Sequence, residues 1–482
     1  SQFIRRGVMN KLIKNLAVAA AVSIAIIGVY TPATASANGG SWQRDSVGWW
    51  YKNSNGSYPK NDWQQIDGKW YYFDGRGYIT HSKWERIKDY WYYFNTSGHM
   101  TENDWKMIGD KWYYFDNKGH MLSNQWVGDY YVGRDGYMLK NTITPDNYVV
   151  GSDGKWDKRF SRELAEKAKY FDIRKHSKKN SIEHFVLNYK TSYDTAVQFI
   201  DTVYPNYNYA NNAKEEIKFI MKQFTMCDHY KSMCSKSDII QYLTDSSLRF
   251  SPAYTEQDVA TAFDELSREM DLTKYFQDQA VKYLRLMHER DVTYMSKSSY
   301  KKSLLDHKFT EEEIKKAFDT VKIDFIDQAK KAANSMLGNN EHKPIASREA
   351  IIDGLVNYKG FLKEEAEKGI DQLNYDFKIN IRNYINQFAL DNSQTNLRLY
   401  SKNHIIYTMT HFDKFVESEV REVLAEYNIN YNERAKLRAM ELLKNGKYSR
   451  SNLEKTLIDQ WKFTKEEATN AVKDLKHENL TD

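Results

Sequence analysis

At 482 residues the chain is too long for one hydrophobic core, so two or more domains are expected. Its net charge of +5 is spread over 70 basic and 65 acidic residues, too even a balance to mark a nucleic-acid binder by charge alone. Only six prolines occur, and three of them (Pro205, Pro252, Pro344) fall after residue 160, which leaves the C-terminal part free to be helical almost throughout.

Residues 1–37 read as a signal peptide. Arg5, Arg6, Lys11 and Lys14 make a basic start, residues 16–29 an apolar run short for a bilayer, and Ala35-Ser36-Ala37 a signal-peptidase site. No second apolar segment of membrane length follows. The expectation is a secreted protein without a membrane span once the leader is removed.

Residues 38–157 are organised by aromatic rings. Trp42, Trp63, Trp84, Trp105 and Trp126 stand 21 residues apart, and Trp49, Trp70, Trp91 and Trp112 keep the same step. Trp70, Trp91 and Trp112 each open a Trp-Tyr-Tyr-Phe tetrad, and Gly77, Gly98 and Gly119 close the units. A fixed period of this length predicts a β-hairpin solenoid, whose units bury their apolar faces only by stacking. Asp67-Gly68, between residues 63–66 and 69–73, is a hairpin signal. Alternation along the strand points Trp70 and Tyr72 one way, Tyr71 and Phe73 the other. Rings could stack here for stability alone, yet Trp at two fixed places per unit suits π-faces set around a quaternary ammonium, or a sugar ring stacked on indole.

Residues 42 to about 140 resemble the choline-binding, or cell-wall-binding, repeats of Gram-positive surface proteins in period, tetrad and terminal Gly-x-Met (Gly98-His99-Met100, Gly119-His120-Met121, Gly136-Tyr137-Met138). The resemblance implies choline groups of wall teichoic or lipoteichoic acid as partner, each caged by two Trp of one repeat and a Tyr of the next. Carried over, the cages are Trp63, Trp70 and Tyr92; Trp84, Trp91 and Tyr113; and Trp105, Trp112 and Tyr131. Two departures keep a glycan ligand open. Asp62, Lys83, Asp104 and Gln125 replace the glycine usual before the first Trp, and Tyr130-Tyr131-Val132 replaces the last tetrad. Residues 147–156 look like a degenerate closing unit.

From residue 158 the apolar period changes to that of helices. Ala435, Ala439 and Leu443 mark one helix face, Leu453 and Leu457 a second, and Ala468, Val472 and Leu475 a third. Thr464 and Glu467 form a capping box, and Gly446 is expected to end the first helix. The frame recurs 102 residues upstream (Ser347, Ile351, Leu355, Phe361) and 48 upstream (Ser401, Ile405, Met409, Phe415). It recurs again around Tyr300, Leu304 and Phe309, and more loosely around Ile239, Leu243 and Tyr254, and around Ile182 and Val186. The expected architecture is an all-α array of about six three-helix, helix-turn-helix-like repeats. Residues 158–270 are the divergent copies and 271–482 the clearer ones.

Cys227 and Cys234 are the only cysteines. On one continuous helix their Cα atoms would stand about 10.5 Å apart, so a disulfide requires a turn over residues 228–232; a bridge and two free thiols both stay open. The two cannot make a metal site without His or Cys partners at ligand spacing, and neither metal nor cofactor is expected.

The last unit resembles the repeat of the host cell surface-exposed lipoprotein family, the superinfection-exclusion proteins of prophages and their relatives. Asn432, Ala435, Ala439, Tyr448-Ser449, Leu453, Leu457, Phe463-Thr464, Glu467-Ala468, Ala471-Val472 and Leu475 carry the resemblance. It implies contact with a protein partner, in that family a phage protein, that blocks DNA injection. The family's lipid-anchoring cysteine is missing here, and wall-binding repeats would replace it.

No catalytic constellation stands out. Gly-x-Ser-x-Gly, a phosphate-binding loop and His-Glu-x-x-His are absent, and His288-Glu289 lacks its second histidine. Glu311, Glu312 and Glu313 suit a helix start rather than acid–base chemistry. The reading is a non-enzymatic binding protein at the cell wall. The alternatives are an adhesin for host or neighbouring-cell protein and, further off, a wall hydrolase. Nucleic acid is not expected as a partner, given export and mixed helical charge.

Overall fold

The computed structural model describes residues 39–223, 234–247, 251–338, 343–390 and 396–481. The leader read at 1–37 lies outside them, as does Cys227. Cys234 is 2 % exposed and disulfide-bonded.

The aromatic stretch is a run of small antiparallel hairpins: Ser41–Arg44 with Trp49–Lys52, Asp62–Ile66 with Lys69–Phe73, Lys83–Ile87 with Tyr90–Phe94, Asp104–Ile108 with Lys111–Phe115, Gln125–Val127 with Tyr130–Val132, and Thr142–Ile143 with Val149–Val150. Asp67 and Gly68 both take positive φ, 49° and 75°, the geometry a two-residue hairpin turn demands. The left-handed residue ahead of each strand is Asn61, Ser82, Asn103 or Asn124. Asp62, Lys83, Asp104 and Gln125, one place later, are ordinary strand starts. The missing glycines are therefore not needed.

Two contacts hold one hairpin to the next. The N–H of Met100 donates to the carbonyl of Trp70 in the preceding hairpin at 2.9 Å, and Met121 repeats this with Trp91, Met138 with Trp112. The thioether then runs on: a Cβ added to Gly119 would strike the Met100 sulfur, and one on Gly136 the Met121 sulfur. Gly-x-Met is thus a packing device, glycine leaving room for the methionine of the unit before. Phe73, Phe94 and Phe115 are fully buried, while Trp70 and Trp91 are 36 % and 44 % exposed, so the two faces of the tetrad divide as alternation requires.

Beyond the hairpins lie about 18 helices among the described residues. Apolar cores form around sets of three. One joins Leu272–Arg290, Lys297–Asp306 and Glu311–Thr320; the last joins Tyr431–Asn445, Arg450–Asp459 and Lys465–Lys473. Two further cores centre on Ile351, Leu355 and Phe361, and on Ile405, Met409 and Phe415. Within each, a left-handed residue (Lys308, Gly360, Lys414 or Lys462) precedes a buried Phe. That Phe donates its N–H back to Leu304, Leu355, Met409 or Leu457. Gly446 ends its helix as expected, the last helical residue being Asn445; it does so extended, at φ −171°, and leads into the strand Tyr448–Ser449, which pairs in parallel with Leu480–Thr481.

The described residues divide into two compact units, one within Ser1–Ile173 and Ser181–Tyr207, the other within Arg174–Asn180 and Asn208–Asp482. The first therefore contains helix Tyr193–Val203 as well as the hairpins; this helix packs on Thr142–Ile143 and Val149–Val150. Phe160, Phe171, Phe185 and Phe199 form its ring cluster, with centroid separations of 5.1–5.2 Å. No helix among the described residues is long and apolar enough to cross a membrane.

Candidate aromatic ligand sites

Each first tryptophan is fixed by its ladder. Trp63 pairs with Tyr72 and Trp84 with Tyr93, which sets both indoles on the face shared with the exposed tetrad Trp. Trp63 and Trp70 stand 6.4 Å apart at 84°, and Tyr92 of the next hairpin lies 4.9 Å from Trp63. Trp84 and Trp91 repeat this at 6.4 Å and 88°, with Tyr113 at 4.8 Å from Trp84. Two near-perpendicular indoles and a phenol from the following unit present several π-faces at one place. Tyr92 is 8 % exposed, and burial, with the Asp116 charge and Tyr90 nearby, raises its phenol above the ordinary value, so it is neutral in the folded protein. Such a set suits a cation without N–H groups, at about 0.5–2 kcal/mol per ring contact.

The third sequence-read set is arranged differently. Trp105 meets Tyr130, at 5.5 Å, and Trp112 is half-buried without a ring partner among the described residues. Tyr131 is 5 % exposed and sits against Trp126 of its own hairpin at 5.2 Å. The cause is register: Val132 pairs with Gln125 as Phe115 pairs with Asp104, so Tyr130 holds the place that Tyr113 holds one unit earlier.

One group was passed over in the sequence. Trp42 lies 4.9 Å from Tyr71, at 63°. The signal was available, since Trp42 to Tyr71 is 29 residues, as are Trp63 to Tyr92 and Trp84 to Tyr113. Burial, reinforced by the Asp67 charge, pushes the Tyr71 phenol up to about 12.

Residues 81–126 and 120–156 match two family models described as choline-binding repeat, and residues 61–79 match one described as cell wall binding repeat. The hairpin region carries choline-binding repeats. Among solved structures, the choline-binding region resembles choline binding protein F of Streptococcus pneumoniae at 33 % identity, over 24 % of this chain and 40 % of that one, with a TM-score of 0.23. The modular autolysin LytC of the same species matches at 28 % identity, over 24 % and 33 % of the two chains, with a TM-score of 0.18. The endolysin of phage Cp-1, complexed with choline, matches at 34 % identity over 28 % and 40 %, with a TM-score of 0.20. The chain therefore spans 33–40 % of these relatives' length. No curated protein matches the chain.

Proposed function

We propose that the protein is held at the Gram-positive cell surface by choline groups of teichoic acid, caged chiefly by Trp63, Trp70 and Tyr92 and by Trp84, Trp91 and Tyr113. The observation that carries this reading is the twice-repeated pair of perpendicular indoles closed by the next unit's phenol, within segments that match choline-binding repeats. Hairpins stacked as a solenoid would set these cages at regular intervals for a polymer bearing many cholines. Binding to purified walls that bear choline-substituted teichoic acid, with no binding once the teichoic acid is stripped, is the expected result. Equal binding to both would point to a glycan and remove the choline reading.

The helical region, on this proposal, supplies contact and no catalysis. Its support is a pair of exposed apolar residues at matching places in two successive three-helix sets: Tyr358 (91 %) and Leu362 (66 %) around Phe361, and Phe412 (66 %) and Val416 (55 %) around Phe415. Large exposed apolar side chains of this kind suit a protein partner. The role proposed, following the resemblance of the repeat frame, is superinfection exclusion. Removing residues 208–482 spares the hairpins with their packed helices, and is expected to restore phage DNA entry while leaving adsorption unchanged. Unchanged DNA entry, together with binding of the intact chain to host or neighbouring-cell protein, would favour the adhesin instead.

A further inference from the structure

The aromatic pattern runs one step beyond the sets above. Trp126 meets Tyr148 of the following hairpin at 5.6 Å and 89°, as Trp63 meets Tyr92. The tryptophan of the tetrad place is replaced. Trp70, Trp91 and Trp112 are the residues whose carbonyls accept the N–H of the next unit, and here that acceptor is Asp129, bonded by Trp156 at 2.8 Å. The tetrad place thus holds no indole, and the Trp156 indole lies against Tyr148 instead, at 5.3 Å and 82°.

A cation of the chain itself lies on this set. The guanidinium carbon of Arg162 is 5.5 Å from the centre of the Tyr148 ring, and its Nε donates to the backbone carbonyl of Asp146 at 3.1 Å. The Asp146 carboxylate accepts from the Trp126 indole N–H at 2.8 Å and from the Thr144 hydroxyl at 2.7 Å. Burial alone would raise that carboxyl, but these two hydrogen bonds and the Arg162 charge outweigh it and hold it low. Negative charge is thus kept beside two π-faces, which is what a bound cation needs. Helix formation does not explain the arginine: Arg162 opens the helix Arg162–Ala168, the end where the macrodipole disfavours positive charge. The opposite end of the hairpin run has a comparable arrangement, with the Arg44 guanidinium 5.5 Å over Trp49 where Trp42 meets Tyr71.

We infer that Trp126, Tyr148 and Asp146 form a cation site filled by Arg162 in place of choline, which closes the last aromatic set to ligand and ties the first helix to the hairpins. This rests on the choline reading of the preceding sets. It predicts that the chain binds fewer cholines than it has Trp–Tyr sets, and that replacing the arginine uncovers one more.

The test is calorimetric counting of choline bound per full-length chain. Arg162→Gln is expected to bind one more equivalent than the wild type, and Arg162→Gln/Tyr148→Leu to return to the wild-type number. Arg162→Lys, which retains a cation, is expected to leave the number unchanged. Tyr148→Leu alone is expected to leave it unchanged too, and this variant keeps the proposal testable should Arg162→Gln fail to fold. Loss of one equivalent in Tyr148→Leu, or no gain in a folded Arg162→Gln, overturns the inference while the other sites stand. A wild type that binds no choline overturns the reading beneath it instead.

Discussion

The two regular ring sets share their labour unequally. Tyr92 is buried beside a Trp70 that is 36 % exposed, and in the next set Trp91 keeps 44 % of its surface exposed, which makes the tetrad Trp the ring open to a ligand. Trp91→Ala is expected to weaken choline at that set about 5- to 30-fold, the equivalent of about 1–2 kcal/mol, with the circular dichroism of the hairpins unchanged. Gly119 has a different task. Its φ of +79° and its contact with the Met100 sulfur both exclude a side chain, so Gly119→Ala should destabilise the hairpins by about 1–3 kcal/mol in thermal unfolding. Unfolding at the wild-type temperature would remove that account of Gly-x-Met. At this scale the fixed step shows which tryptophans recur, and the resemblance to choline-binding repeats implies the groups Trp63, Trp70 and Tyr92 and Trp84, Trp91 and Tyr113, whose rings stand together in the fold. Tyr131 shows where that stops. Each strand of the hairpin Gln125–Val127 with Tyr130–Val132 is two residues shorter than in the hairpin before it, and once residues drop out of the strands only the ladder reveals which tyrosine faces Trp105.

Turns and caps govern the elements. Asp74 accepts the N–H groups of Arg76 and Tyr78 at 2.8 and 3.0 Å, and Asn95 does the same one unit later for Ser97 and His99 at 2.9 Å each. Burial raises the Asp74 carboxyl, but those hydrogen bonds and Arg76 outweigh it and leave it below its usual value. A carboxyl depressed in the fold stabilises above its unfolded pKa, near about 3.9, and that contribution fades as pH falls through the lower folded value. The hairpins should therefore lose stability below about pH 4, and Asp74→Asn should remove part of that slope while preserving the turn. A slope unchanged in Asp74→Asn would assign the acid sensitivity elsewhere. Among the helices, Ser401 accepts the N–H of His404 at 3.0 Å and donates to the carbonyl of Trp461, 60 residues away, at 2.7 Å. Ser296 does likewise with Ser299 and Lys359 at 3.2 and 2.6 Å. The capping half of this role was readable from serine ahead of an apolar period; the half that ties one three-helix set to the next was not, since a hydroxyl's second partner leaves no mark on local sequence. Ser401→Ala should cost about 1–3 kcal/mol in unfolding, more than a cap alone, and Ser401→Thr should recover part of it.

For the whole molecule, the change of apolar period along the sequence separates a region of hairpins from a region of helices. It could not show that helix Tyr193–Val203 packs with the hairpins, because periodicity says which face is apolar and not what covers it. The first compact unit is thus larger than the aromatic repeat alone. On the function proposed above, this unit grips choline through paired indoles. Chromatography of the full chain on choline-agarose tests it most directly. Retention in high salt, release by free choline, and passage of the Trp70→Ala/Trp91→Ala variant straight through the column are the predicted results. Equal retention of wild type and double variant, or flow-through of both, would contradict it.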